Sequence, residues 1–374
     1  MHLTAGSPRR SAAPLLSAIA LVSAVMASGT PADAATAGHL QTRARPVAGN
    51  VDGHEAAPAA GRRVDTSHPA RVVGRGTAAG CTSAAVVRAV ARGGIITFRC
   101  GPKPVTITMT ATAKVRNDRR PNVVIDGGGK VTLSGGGVRR VLYQDTCDAA
   151  QGITSSHCQD QETPRLTLQN LTIVRGNATG QLEEGGGGGA VLVRGGQVKI
   201  VNSRFFNNRC DATGPDVGGA AVRVLSQYQN RPVYVVHSTF GGATGYGNTC
   251  SNGGALSSIG VSWVVLNSVM SHNVATGSGA NPAQNGKPGG GSGAGIYTDG
   301  NDFTVTVAGT RIDHNHANEG GAAIFFVSND RTGSLTIRNS VLTNNRNDGF
   351  ETQGLPGIFF LGVAPPTVTG SRIR

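Results

Sequence analysis

The eight residues VNSRFFNN, at positions 201–208, recur in altered form three times and constrain the fold most strongly. Their relatives are LNSVMSHN at 266–273, AGTRIDHN at 308–315 and RNSVLTNN at 338–345. In each copy a small residue is followed two places later by a large apolar residue, and then three places later by asparagine. Alignment of the large apolar residue extends the series to seven positions: Ile173, Phe205, Phe240, Met270, Ile312, Leu342 and Ile373. Their spacing of 30 to 42 residues is typical of stacked structural repeats.

A second motif, rich in glycine, also recurs along the chain. Glycine-rich segments that open short apolar strands precede the repeats, namely GGGAVLV (187–193), GGAAVRV (218–224), GGALSSI (253–259), GAGIYT (293–298) and GGAAIFFV (320–327). Each repeat therefore contains two short strands, and no amphipathic helix separates them. Strands that coil with each turn lying on the previous one form a parallel β-helix, and its crossovers are expected to be right-handed. A β-sandwich is the alternative, but sandwiches do not repeat one motif at one position.

The start of the ordered chain reads as a short helix followed by a strand. Thr82 or Ser83 can cap a helix whose apolar residues lie on one side, and Gly93 ends it. The β-branched segment IITF (95–98) then predicts a strand. The helix and the strand are therefore predicted to cap the open end of the coil.

These motifs resemble two known groups of proteins. The pairing of Gly-Gly-Ala with Phe-x-x-Asn resembles the repeats of polymorphic outer membrane proteins of the chlamydial type. GGIITFRC (93–100) and NVVIDGGG (122–129) resemble the pectin lyase-like superfamily of right-handed β-helices. The resemblance implies an all-β right-handed parallel β-helix over residues 81–374. It leaves the function open, because this fold is found in lyases, hydrolases, tail spikes and adhesins.

The N-terminal third differs in composition from the repeats. Arg9 and Arg10 precede an apolar run, and Ala32-Asp33-Ala34 supplies a small-x-small cleavage site, so residues 1–34 are predicted to be a secretory signal peptide. Residues 35–80 are rich in Ala, Gly, Pro and Arg and are predicted to be a disordered basic linker. No second apolar run is long enough to cross a bilayer, so we expect a secreted, extracellular chain.

The net charge of +13 is concentrated near the front of the chain. Residues 35–140 contain 17 Lys and Arg against 5 Asp and Glu, whereas residues 141–374 contain 15 of each. The basic region would attract an acidic polysaccharide or an acidic cell-wall polymer. DNA would be attracted in the same way, but the repeats are neutral and we do not expect nucleic acid to be the partner. We expect a monomer.

Six cysteines fit an oxidising compartment. They allow fifteen pairings, and proximity in sequence favours Cys81 with Cys100, Cys147 with Cys158, and Cys210 with Cys250. Two free thiols are the alternative for the last pair. The lack of a Cys-x-x-Cys spacing disfavours a zinc site.

The densest polar cluster is TRIDHNHANEGG, at 310–321. His314 and His272 occupy the same place in successive repeats, so they should lie side by side with Asp313 and Glu319 nearby. Such a group could act as general acid and base or bind a transition metal. The alternative, which we favour, is a polar ladder of Asn and His side chains that bond to turn backbone. The short signatures of calcium-dependent lyases and of glycoside hydrolases are absent from the sequence.

Four further residues are candidates for ligand binding. His316 and Glu351 could complete the polar cluster, and Tyr297 and Trp263 could offer aromatic surfaces to a sugar. For Trp263 the strand alternation leaves inward and outward orientations open. No metal site is assigned, although Ca²⁺ at the acidic glycine turns is an alternative to solvated loops; these turns contain Glu183, Glu184, Asp211 and Asp216.

Two functions remain open from the sequence alone. In the first, the secreted coil binds an extracellular polysaccharide along its long face and could also cleave it, as a lyase or a glycoside hydrolase. In the second, it is a non-catalytic surface or matrix adhesin held on an acidic cell-wall polymer. The missing catalytic signatures and the low aromatic content of 4% make binding the better supported activity.

Overall fold

A computed structural model describes residues 45–118, 120–151, 154–182 and 185–374. The predicted signal peptide at 1–34 and the first ten residues of the predicted linker lie outside the described residues. The described chain confirms a right-handed parallel β-helix with one α-helix.

Three long parallel sheets run along the coil, and a short fourth sheet joins them. Sheet A contains the strands Arg71–Val73, Gly94–Phe98, Asn122–Asp126, Arg165–Gln169, Gln197–Val201, Val233–Val236, Trp263–Leu266, Thr304–Ala308, Ser334–Arg338 and Thr367–Thr369. Sheet B contains Val105–Thr108, Val131–Ser134, Thr172–Val174, Arg204–Phe206, Thr239–Gly241, Val269–Ser271, Arg311–Asp313, Val341–Thr343 and Arg372–Ile373. Sheet C contains Ala113–Val115, Leu142–Asp145, Val191–Arg194, Val222–Val224, Leu256–Ile259, Ile296–Gly300, Ile324–Ser328 and Ile358–Leu361. Sheet D contains Thr249–Cys250, Val274–Ala275, His316–Ala317 and Arg346–Asn347.

The core is a set of stacked columns inside the coil. In sheet A one inward column contains Leu166, Val198, Val233, Trp263, Val305 and Leu335, all of which are buried. In sheet B the predicted apolar column is confirmed, because Phe205, Phe240, Met270 and Ile312 follow one another in register and have no exposed surface. The rings of Phe205 and Phe240 stack with their centroids 4.8 Å apart. Each rung thus covers the apolar face of the previous one, which no single repeat could bury alone.

The asparagine of the motif forms a ladder inside the coil. Asn208, Asn248, Asn273, Asn315 and Asn345 follow one another, and each Nδ2 donates to the Oδ1 of the next at 2.8–3.0 Å. Most of these side chains also bond to a backbone carbonyl of the preceding rung, which satisfies polar groups where no water can reach. The favoured ladder is therefore present at the column of buried asparagines.

The small residue of the motif has an equally regular role. The backbone N–H groups of Ser203, Ser238, Ser268, Thr310 and Ser340 each donate to the hydroxyl oxygen of the corresponding residue one rung later, at 3.1–3.2 Å. This hydroxyl ladder fixes the bend between sheets A and B. The motif therefore encodes one apolar column with a hydroxyl ladder before it and an asparagine ladder after it.

The sole α-helix of the described chain, α1, spans Ser83–Arg92 and covers the first rungs. Thr82 caps it by accepting a hydrogen bond from the N–H of Ala85, and Val86 and Val90 face the core. Gly93 ends the helix with a φ of 62°, a conformation that glycine adopts without strain. No helix in the described ranges is long and apolar enough to span a membrane.

Three disulfides are present with the predicted pairing. The Cα atoms are 5.6 Å apart in Cys81–Cys100, 4.9 Å in Cys147–Cys158 and 4.8 Å in Cys210–Cys250. These distances lie within the range of protein disulfides. The described chain contains no free cysteine.

The structure differs from the sequence expectation at 45–80, which was predicted to be disordered. Here residues 45–70, which we call the strap, lie along the outer side of sheet A, and Arg71–Val73 forms the first strand of that sheet. The N–H of Glu55 donates to Asn267 Oδ1 at 2.8 Å, and the N–H of Val64 donates to Gln169 Oε1 at 2.9 Å. Gly61 packs close to the ring of Tyr234, where a Cβ would lie 3.1 Å from Cδ1. Small residues without periodicity therefore mark a segment that packs on the sheet and has no core of its own.

Candidate functional site

The predicted histidine pair lies at the edge of sheet B, in the turns that follow two neighbouring strands. Val269–Ser271 pairs in register with Arg311–Asp313, so that His272 and His314 come to the same position one rung apart. Both have a left-handed backbone, with φ of 60° and 53°. Asn207 and Asn344 fill the same turn position in other rungs, with φ of 54° and 56°. Asn and His tolerate this conformation better than most residues, which gives the histidines a backbone role.

The two imidazole rings stack with a centroid distance of 5.1 Å and an angle of 11° between their planes. Each ring has its own oriented neighbour. His272 Nδ1 is 2.7 Å from Ser271 Oγ, and His314 Nδ1 is 3.1 Å from Asp313 Oδ2. Partial burial, followed by the charge of His314, lowers the pKa of His272 below 6.5. Protonation of His272 is therefore disfavoured.

This geometry limits the chemistry that the pair can perform. Nearly parallel stacked rings hold their nitrogens side by side, so that the lone pairs do not converge on one metal ion. Within the described ranges there is no group of three or more His, Cys, Asp or Glu residues that could hold a metal. Asp313 Oδ2 lies 3.1 Å from His314 Nδ1, and half of the His314 side chain is exposed.

The other predicted members of the polar cluster lie apart from the pair. The Glu319 Oε1 atom accepts a hydrogen bond from the N–H of Gly279 at 2.6 Å, which fastens the long insertion before sheet C. His316 Nε2 is 3.0 Å from Asp348 Oδ2 in an exposed pair on sheet D. Glu351 Oε2 accepts from the N–H of Gly357 at 2.7 Å. Among the described contacts, none joins Glu319 or Glu351 to the histidines.

The two predicted aromatic residues have no ring face free for a sugar. Trp263 points inward and its Nε1 donates to Ser258 Oγ at 2.8 Å, so its ring is part of the core. Tyr297 points outward from sheet C, yet it is fully buried beneath the insertion and stacks on Phe325 at 4.9 Å. Sequence alternation could not separate these orientations, because both faces of these strands are covered.

A second polar cluster surrounds Tyr297 and holds the insertion in place. Asn281 Nδ2 donates to Asp299 Oδ2 at 3.0 Å and to Asp216 Oδ1 at 3.2 Å. Burial raises the pKa of Asp299, and burial together with the charge of Asp299 raises the pKa of the Tyr297 phenol. Burial also lowers the pKa of the nearby Arg223 to about 10. Asn281, Tyr297 and Asp299 are joined by hydrogen bonds, which favours an anchor for the insertion.

The acidic turns considered for Ca²⁺ hold no cluster in the described chain. Asp211 Oδ1 accepts from the N–H of Gly180 at 2.9 Å, while Asp216 bonds to the insertion. Glu183 and Glu184 lie outside the described residues.

A depression on the outer face of sheet A was not expected from the sequence. It is a groove of about 670 Å³ on the outer face of sheet A, and we call it the sheet A groove. Its floor is the outward column Ile95, Val124, Thr167, Lys199 and Tyr234, which crosses five successive strands. The strap, at Ala60 and Val64, forms one wall. The groove could not be foreseen because that wall was predicted to be disordered.

The sheet A groove carries positive charge. Arg165, Lys199 and Arg231 line it, and no carboxylate is among its described lining residues. Arg165 pairs with Glu162 outside the lining, and Arg231 lies over the ring of Tyr228 at 5.2 Å. Lys199 Nζ donates to the carbonyl oxygens of Arg62 and Ala60 at 2.7 and 3.1 Å, and burial lowers its pKa. The lysine thus fixes the strap while leaving a cationic floor.

Comparison of the chain with models of protein families, with curated proteins and with solved structures finds no match.

Proposed function

We propose that this chain is a secreted β-helix protein that binds an acidic polysaccharide in the sheet A groove. The observation that carries the proposal is the charge of the lining, which combines Arg165, Lys199 and Arg231 with no described carboxylate. Guanidinium groups bind carboxylates through paired hydrogen bonds, and a walled groove weakens the screening by solvent.

The shape of the groove supports a linear ligand. Its floor crosses four intervals between strands, so it extends for roughly 19 Å along the coil. The outward polar side chains Asn122, Arg165 and Gln197 occupy one column in register and so recur at the spacing of the rungs. A polymer that lies parallel to the coil axis would meet similar donors at regular intervals, whereas a compact ligand would leave most of them unused.

The position of the histidine pair favours binding without cleavage. The groove spans the rungs from Ile95 to Tyr234 on the outer face of sheet A, whereas His272 and His314 follow later strands of sheet B. A polymer in the groove would therefore not pass over the Asp313–His314 pair. This arrangement agrees with a non-catalytic role at a cell surface or in a matrix. Membership of the pectin lyase-like superfamily and export by a signal peptide are part of this proposal.

Calorimetric titration with polygalacturonate, and with a neutral glucan as comparison, tests the proposal. The variant R165Q/R231Q removes two cations of the lining, and R75Q/R88Q removes two exposed cations elsewhere as a charge-matched control. We expect the groove variant to lose about tenfold or more in affinity, since hydrogen bonds to charged groups contribute about 1.5–3 kcal/mol each before solvent screening.

Equal losses in the groove variant and the control would refute the groove as the site. Binding of the neutral glucan as tightly as polygalacturonate would refute the acidic specificity. Release of unsaturated or reducing ends, abolished by a D313N/H314N double substitution, would replace the binding proposal with an enzymatic one.

A further inference from the structure

A second basic depression lies where the chain turns from sheet B towards sheet C. It has a volume of about 580 Å³, and we call it the arginine cleft. Its lining consists of Gly136, Gly137, Val138, Arg175, Asn207 and Arg209. It lies on a different side of the coil from the sheet A groove, and the two share no lining residue.

Two guanidinium groups converge on Gly137. Arg209 Nη2 donates to the carbonyl oxygen of Gly137 at 2.7 Å. A Cβ built on Gly137 would lie 3.6 Å from Arg175 Nη2, and the φ of this glycine is 79°. Both guanidinium groups therefore lie beside Gly137, that of Arg175 near its Cα and that of Arg209 at its carbonyl oxygen.

Neither cation is neutralised by the protein. In the described part of the chain, Arg175 and Arg209 form no ion pair with a carboxylate, and the cleft lining contains none. The Arg175 side chain has no hydrogen-bond acceptor among the described residues. Two like charges that line the same cleft repel each other, so an anion from solution would stabilise the arrangement.

The backbone of Arg175 adds a separate observation. It occupies the turn position that Asn207, His272, His314 and Asn344 fill in later rungs, and its φ is 50°. Arginine gains no local hydrogen bond that would favour this left-handed conformation, unlike asparagine. Strained positions are concentrated at sites of function, where another interaction requires the residue.

We propose that the arginine cleft binds a tetrahedral oxyanion, such as a phosphate or sulfate ester group carried by a larger molecule. A tetrahedral oxyanion has acceptor oxygens on every side, so guanidinium groups that approach from two strands can both bind it. A carboxylate presents its two oxygens in one plane and suits a single guanidinium fork. The cleft is larger than one free ion, which leaves space for the group that carries the ester.

Calorimetric titration at fixed ionic strength with inorganic phosphate, inorganic sulfate and acetate tests the site directly. The variant R175Q/R209Q removes both guanidiniums, and R75Q/R88Q again controls for net charge. We expect phosphate or sulfate to bind more tightly than acetate, with an affinity about tenfold lower in R175Q/R209Q and unchanged in the control. Polygalacturonate binding should persist in R175Q/R209Q, which separates this site from the sheet A groove.

Equal affinity for acetate and for both tetrahedral ions would overturn the proposal, as would equal losses in the two variants. A second variant, G137A, keeps both charges and adds a methyl group 3.6 Å from Arg175 Nη2 within the cleft lining, and it should also weaken phosphate or sulfate binding. Circular dichroism and the urea midpoint would confirm that each variant is folded. A folded G137A protein with unchanged affinity for both ions would contradict the placement of the anion between the two arginines.

Discussion

The buried asparagine ladder permits a quantitative prediction for the substitution N273A. Asn273 has no exposed surface and its carboxamide forms four hydrogen bonds to neighbouring rungs. The Oδ1 atom accepts from the N–H and from Nδ2 of Asn248 at 3.1 and 2.8 Å. Nδ2 donates to the carbonyl of Phe240 and to Asn315 Oδ1, both at 3.0 Å.

Removal of this carboxamide leaves the backbone N–H of Asn248 without its acceptor in the interior. One orphaned buried donor costs about 1–3 kcal/mol, and the remaining lost hydrogen bonds and the cavity add to it. We therefore expect N273A to lower the free energy of unfolding by about 2–5 kcal/mol. Equilibrium urea unfolding gives the total, and amide hydrogen exchange shows whether the loss is local to the rungs that flank Asn273.

The matched control is N344G, at an exposed turn position where the backbone φ is 56°. Glycine adopts this conformation readily, so we expect a change below about 1 kcal/mol. If N273A and N344G had equal stabilities, the ladder would not be a source of stability, and the reasoning would be refuted.

Three further outcomes are expected. Because folding lowers the pKa of His272, its contribution to the free energy of unfolding is complete above pH 6.5 and is lost as the pH falls through the folded pKa. In urea unfolding, H272N should therefore lose less stability at acid pH than the unchanged protein. Equal pH profiles of the two proteins would argue against this. Burial raises the pKa of Asp299 above 3.8, so the contribution of its protonated carboxyl to the free energy of unfolding is present at low pH and is lost as the pH rises through the folded pKa. D299N should flatten the stability curve there, as chemical unfolding at a series of pH values would show. The substitution C81S/C100S removes a disulfide between residues 19 apart and should lower the free energy of unfolding, measured with urea, by about 3 kcal/mol. An unchanged urea midpoint would contradict this.

The fold could be predicted because each rung repeats the same physical requirements. Ser203, Phe205 and Asn208 serve a hydroxyl ladder, a core column and an asparagine ladder, and the same three residue types recur downstream. Asn248 cannot be assigned to the asparagine column from the motif spacing, because the five residues 243–247 separate it from Gly241 and Gly242 at the end of its motif. An insertion in a turn changes the spacing in sequence while the position in space is kept.

The ligand surfaces were harder to foresee. The orientation of Trp263 depends on which side of a doubly covered strand faces the core, and alternation alone does not encode this. Both depressions combine residues that are far apart in sequence, such as Ala60 with Tyr234 and Gly137 with Arg209. The histidine pair was placed correctly at one rung spacing, and its association with Glu319 was not found among the described contacts.

The strap also has a consequence for the order of events during synthesis. Glu55 is among the first residues of the coil to be made, yet its carboxylate bonds to Arg338 and Asn339, more than 280 residues later. The ribosome must therefore complete almost the whole coil before the strap can dock at its far end. Rungs can form one after another before then, but this contact waits for the strand Ser334–Arg338. Docking of Glu55 thus requires that the coil has been made as far as Asn339.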